Sequence, residues 1–157
     1  MNIIPALHAA YLQTTYWVEA RPAPIALRIG ERSRALDRVL ALHGTRCWAF
    51  VTAWNPESRV LARWRNVARD ARLRRALANG GYRWLPALGE GDDPGWTPEP
   101  SVLVLGMSVP SAAKLGRLLK QNAVVTGKLG ERAMLVWCGP GSGSWRHLDA
   151  APRGLIP

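Results

Sequence analysis

Residues 47–56 read CWAFVTAWNP, from Cys47 to Pro56. The run from Cys47 to Trp54 is apolar except at Thr52. A short continuous apolar run of this kind fits a β-strand covered on both faces, which belongs in the middle of a sheet. Asn55-Pro56 then ends it. Proline pushes the residue before it out of the α region, so Asn55 is expected to be extended. Asn55 is also suited to cap a helix that has Pro56 at its first position. That helix is expected to run to about Ala78, where Asn79-Gly80-Gly81 stops it. Val60, Leu61, Trp64, Val67, Ala68 and Ala71 fall on one apolar face. Arg65, Arg69 and Arg72 form a second stripe, and Arg59, Arg63, Asn66 and Asp70 a third.

Upstream of this stretch, residues 5–13 fit a short helix. Residues 16–19 and 25–29 fit the two strands of a hairpin, with Arg28 near the end of the second. Residues 31–43 follow a helical period through Ala35, Leu36, Val39, Leu40 and Leu42, and Gly44 ends the helix. Downstream, residues 82–88 read as a strand that Pro86 places at an edge. Residues 89–100, GEGDDPGWTPEP, have the composition of a loop. Residues 101–107 are a second apolar strand. Ser108 caps a helix over 109–120 whose buried face is Ala112, Leu115, Leu118 and Leu119. Residues 123–126 and 133–138 read as a final hairpin, and 139–157 as a tail rich in Gly, Pro and Ser. The order predicts one α+β domain over residues 1–138. Its mixed sheet is packed by about four helices, and helices alternating with strands in the middle predict some parallel pairing.

The 157 residues suffice for one substantial core, and 48% apolar with 20% charged residues is a globular composition. The formal charge of +10 favours anionic partners such as nucleic acid or nucleotides. Lysine and arginine together number 21, and the great majority are arginine. That bias suits phosphate contacts, and it equally fits a GC-rich coding composition. Cys47 and Cys138 lie in or beside apolar runs and read as buried free thiols of a reducing compartment. No secretory leader pattern and no membrane-length apolar run is read in the sequence. A soluble, cytoplasmic protein is expected, with no cofactor motif and no metal set.

Several motifs recur in one order: AY with a later TxY, then LRIG, WAFVTAWNP, a helix carrying Asn66 and Arg69, PEPS before an apolar strand, and LGR followed by QNAVV. In that order the chain resembles a bacterial family of uncharacterised domain-of-unknown-function proteins over roughly Tyr11 to Gly127. The resemblance implies a small, soluble, single-domain protein and carries no catalytic assignment. Arg65 stands before Asn66 where the family pattern leads one to expect an acid.

Polar residues gather where strands begin and end. Thr52, Asn55, Asn66 and Arg69 lie around the exit of the central strand, Glu99 and Ser101 at the entry to the next, and Gln121 and Asn122 before a third. Ligands collect at such strand ends. If these segments converge, Arg28, Asn55, Asn66, Arg69, Glu99, Ser101, Gln121 and Asn122 form a polar pocket with Trp54 or Trp96 on its wall. The same residue types also serve as caps and turn groups. The dense arginines Arg59, Arg63, Arg65 and Arg72, with Trp64 and Trp84 near them, form a second candidate, for nucleic-acid phosphates and bases. Two other readings are a metal-dependent hydrolase or nuclease using Asp92, Asp93 or Glu99, and a protein-interaction module using exposed tryptophans.

Overall fold

The structure is a computed structural model, and it describes residues 3–138. The sequence-expected tail at 139–157 lies outside the described residues. Four α-helices and seven strands are present in the order α1 (Ile3–Gln13), β1 (Thr15–Val18), β2 (Ile25–Leu27), α2 (Arg34–Leu42), β3 (Cys47–Val51), α3 (Arg63–Asn79), β4 (Arg83–Glu90), β5 (Glu99–Leu105), α4 (Val109–Leu118), β6 (Ala123–Lys128) and β7 (Met134–Trp137). The α+β class and the four helices are as the sequence predicts.

All seven strands join one sheet in the order β2-β1-β4-β5-β3-β6-β7. Every ladder is antiparallel. The parallel pairing expected in the middle of the chain is confined to one isolated bridge, Ile29↔Ala133. That bridge lies just past β2 and just before β7, so it ties the two ends of the curled sheet together. The Gly30 N–H donates to the Ala133 carbonyl, and the Ala133 N–H to the Glu31 carbonyl.

β3 sits between β5 and β6, as its two-sided apolar run requires. Trp48 and Phe50 point into one core with Tyr16, Val18, Leu36, Leu40 and Leu103, against which Leu7 and Tyr11 of α1 also pack. Ala49 and Val51 point into the other, with Leu73 and Leu77 of α3 and Ala112 of α4. The period of two thus distributes one strand between two helical layers. Close approach is built in at two glycines. A Cβ at Gly127 would lie 2.6 Å from the Trp48 ring, and one at Gly116 the same distance from the Cys138 sulfur. Glycine at these positions lets the indole lie across β6 and lets α4 settle on the sheet.

Four expectations need correction. β4 is interior, between β1 and β5, although it carries Pro86. β1 pairs only with Ala87–Glu90, and the Pro86 carbonyl accepts from the Glu19 N–H beyond the end of β1. Because N and O of one strand residue point the same way, the missing N–H falls where the β1 ladder has stopped. The helix expected from Pro56 begins at Arg63 instead; residues 56–58 form a single 3₁₀ turn. The apolar face assigned to it faces outward: Val60 is 75% and Trp64 69% exposed, and the buried residues are Asn66, Leu73 and Leu77. Ser108 does cap α4, accepting from the Ser111 N–H, but Leu118 on its expected inner face is exposed. No helix among the described residues is long and apolar enough to cross a membrane.

Candidate functional site

The end of β3, the starts of β1, β5 and β6 and the end of β4 meet at one end of the sheet. There the chain leaves β3 through Thr52 and Ala53 and turns sharply. Asn55 adopts a left-handed conformation (φ 44°, ψ 62°), and Glu57 and Ser58 also have positive φ. Asn55 is therefore neither extended nor a side-chain cap. Asparagine tolerates this region better than most residues, and its side chain is held by tertiary partners.

Those partners form a connected set. The Asn55 backbone N–H donates to Asn66 Oδ1 at 2.9 Å, and Asn66 Nδ2 donates back to Asn55 Oδ1 at 2.8 Å. Asn55 Oδ1 also accepts from the Leu61 N–H at 3.0 Å, and Asn55 Nδ2 donates to Glu99 Oε1 at 2.8 Å. Asn66 is only 1% exposed, so the amide pair is the polar centre of this end of the domain. Arg69 completes the support. Its Nε donates to the Ala53 carbonyl and its Nη2 to the Leu119 carbonyl, both at 2.6 Å. Gln121 Nε2 donates to the Trp54 carbonyl at 2.9 Å, and Asn122 Nδ2 to Ser58 Oγ at 2.9 Å. Thr52 Oγ1 donates to the Pro100 carbonyl and accepts from the Trp54 N–H.

Above this network lies a partly enclosed cavity of about 310 Å³, at the low end of the roughly 300–1,000 Å³ typical of small-molecule sites. Its walls are Tyr11, Tyr16, Phe50 and Trp96 together with Val124 and Val125, and its polar lining includes Thr52, Asn55, Glu99, Ser101 and Gln121. Tyr16 and Phe50 meet edge to face with centroids 5.0 Å apart. Asp92 and Asp93 stand at the exposed rim.

Burial pushes the Glu99 carboxyl above the ordinary glutamate range, and hydrogen bonds from the Asn55 amide and the Trp96 indole oppose that rise. Burial also raises the Tyr11 phenol, with the Glu99 charge adding to it, so Tyr11 stays protonated at neutral pH. Burial pushes the Cys138 thiol up to about 11. Cys47 and Cys138 are both free cysteines.

The predicted polar residues therefore divide. Asn55, Glu99, Ser101 and Gln121 line the cavity. Asn66 and Arg69 stand behind it and fix its polar wall, and Asn122 orients Ser58 at the rim. Arg28 does not join them; its Nη1 donates to the Gln13 carbonyl at 2.8 Å. Trp96 is on the wall and Trp54 is not. Sequence reasoning missed Tyr11, Tyr16 and Phe50 as lining residues. Among the described residues no group of three or more His, Cys, Asp or Glu side chains is placed to hold a metal ion; Asp92, Asp93 and Glu99, the acids of the alternative hydrolase reading, all line the cavity.

The basic candidates lie elsewhere. Arg63, Arg65 and Arg72 are exposed on α3, and Arg59 precedes it, paired with Glu57 at 3.2 Å. The Arg65 guanidinium lies 5.3 Å from the Trp64 ring centroid.

Residues 51–124 match a family model described as "Protein of unknown function (DUF3293)". The matched span supports similarity to an uncharacterised domain family. It runs from the last residue of β3 to the start of β6 and contains every predicted pocket residue except Arg28. No curated protein and no solved structure matches the chain.

Proposed function

We propose that the protein binds a small organic molecule in the cavity at this end of the sheet. One observation carries the reading: aromatic walls, a half-buried carboxylate and a buried amide converge on one open space, above a polar network that fixes them. Rigid support behind a few convergent polar groups is the common design of ligand sites. The chain is read with this as a soluble cytoplasmic protein of bacterial type, on the composition and motif grounds given above. Ligand-observed NMR against a fragment library tests the proposal, with Ala10→Phe as the blocking variant, since Ala10 is an exposed helical residue on the rim. Hits that bind wild type and lose binding in Ala10→Phe support it. A library without hits, or hits that bind both proteins equally, overturns it.

A second reading has its own observation. Arg63, Arg65, Arg72 and Arg75 are exposed without an acidic partner among the described residues, and Trp64 stands out from the same helix. A nucleic acid would meet phosphate-binding and stacking groups there. Fluorescence anisotropy with single-stranded RNA and DNA should show salt-dependent binding that weakens in Arg65→Ala/Arg72→Ala. No binding at low salt, or no change in the variant, removes this reading.

A further inference from the structure

The cavity's charge is opposite to the protein's. The chain carries +10 and 21 basic residues, yet the charged side chains lining the cavity are Asp92, Asp93 and Glu99, with no lysine, arginine or histidine among them. The two arginines among the candidate pocket residues bond backbone carbonyls, although the Arg28 charge reaches the Tyr16 phenol on the wall. Arg28 binds the carbonyl of Gln13, and Arg69 those of Ala53 and Leu119. Glu99 is thus a half-buried carboxylate with neutral donors only, Asn55 and Trp96, and no basic partner among the described residues. Charges withdrawn from water are normally paired.

The hydrogen-bonding capacity left over has the same sense. Gln121 is 8% exposed and lines the cavity. Its amide nitrogen donates to the Trp54 carbonyl, which fixes the amide orientation. Its oxygen accepts no hydrogen bond among the described residues. Asn55 cannot contribute an acceptor, because its Oδ1 already receives Leu61 and Asn66. The Glu99 and Asp92 carboxylates and Ser101 Oγ line the same cavity, and Ser101 Oγ itself donates to the Glu99 carbonyl. The cavity thus offers carboxylates and an amide oxygen as acceptors, while its side-chain donors, the Tyr11 phenol among them, are neutral. The aromatic wall complements this, since ring faces attract cations.

We infer that the cavity's ligand is a small organic cation with N–H donors, an alkylammonium or guanidinium, whose charged head meets Glu99 and the Gln121 amide oxygen within the aromatic wall. This rests on the reading of the cavity as a ligand site. Acidic Asp92 and Asp93 draw the cation to the mouth, which the protein's overall positive field would otherwise disfavour.

Isothermal titration calorimetry of the full chain with butylamine, agmatine, butyramide and butyrate separates the possibilities. Butylamine and agmatine should bind at least about tenfold more tightly than butyramide, a ratio equal to about 1.4 kcal/mol, and butyrate should bind weakest. Glu99→Gln should reduce the preference for butylamine and agmatine over butyramide to about twofold or less. Asp92→Asn/Asp93→Asn changes exposed residues only and serves if Glu99→Gln does not fold; it should weaken both amines about threefold or more at low salt. Butyramide or butyrate binding as tightly as butylamine overturns the cation inference and leaves the cavity reading standing. No binding of any of the four overturns the inference; with an empty fragment screen, the cavity reading falls too.

Discussion

The two sides of α3 reverse the usual division of a surface helix. Its inner side at the N-terminal end carries Asn66, buried, and Arg69, half-buried and bonded to two carbonyls. Its outer side carries Trp64, Val67, Ala68 and Ala71, all exposed. Only further along, at Leu73 and Leu77, does the inner side become apolar. This helix is docked by hydrogen bonds at one end and by apolar packing at the other. Where docking is polar, apolar periodicity points away from the contact.

Substitutions on the two sides of α3 should have unequal effects. Asn66→Ala should have the largest effect. It leaves the Asn55 N–H without its acceptor in a buried site and removes one donor to Asn55 Oδ1. An unsatisfied buried group costs roughly 1–3 kcal/mol, so urea unfolding should show a loss of about 3 kcal/mol. A loss below about 1 kcal/mol would show that water or a backbone shift replaces the amide. Arg69→Ala should cost about 2 kcal/mol, since hydrogen bonds from a charged donor are worth roughly 1.5–3 kcal/mol. Arg69→Lys should recover only part of it, because an ammonium lacks the planar fork that reaches Ala53 and Leu119 together. Full recovery by lysine would make charge, not geometry, the decisive property.

A smaller effect depends on pH. The carboxyl of Glu99 is raised by burial, so the folded protein holds its proton more tightly than the unfolded chain. The resulting stabilisation is complete below the unfolded value and is lost as pH rises through the folded one. Glu99→Gln should therefore gain stability relative to wild type between pH 4 and neutrality (about 4 to 7 in thermal melts). A relative loss over that interval would mean that the Asn55 and Trp96 hydrogen bonds outweigh desolvation. Smallest of all should be Trp64→Ala, within about 0.5 kcal/mol of wild type by urea unfolding. A larger loss would place the indole against the protein.

Much of the fold is legible in the sequence. Two-sided burial of β3 is written directly in its continuous apolar run, and Ser108 announces α4. The docking of α3 is not legible, because Asn66 and Arg69 are drawn inward by hydrogen-bond partners distant in sequence: Asn55, Ala53 and Leu119. Pro86 misleads for a related reason. Proline forbids one hydrogen bond, and the chain aligns that missing bond with the end of β1. Strand-end position reveals Asn55, Glu99, Ser101 and Gln121 as lining residues. Tyr11, Tyr16 and Phe50 escape notice because an aromatic facing a cavity and one filling a core obey the same periodicity.

The bridge between Ile29 and Ala133 also governs how molecules meet one another. An open sheet offers unpaired backbone groups along its outermost strands, and another copy can add a strand there. Here the outermost strands, β2 and β7, are only three and four residues long, and the chain segments beside them are already bonded to each other. Little edge is left to template a growing stack. Breaking that closure would leave the backbone groups of Gly30, Glu31 and Ala133 without these partners.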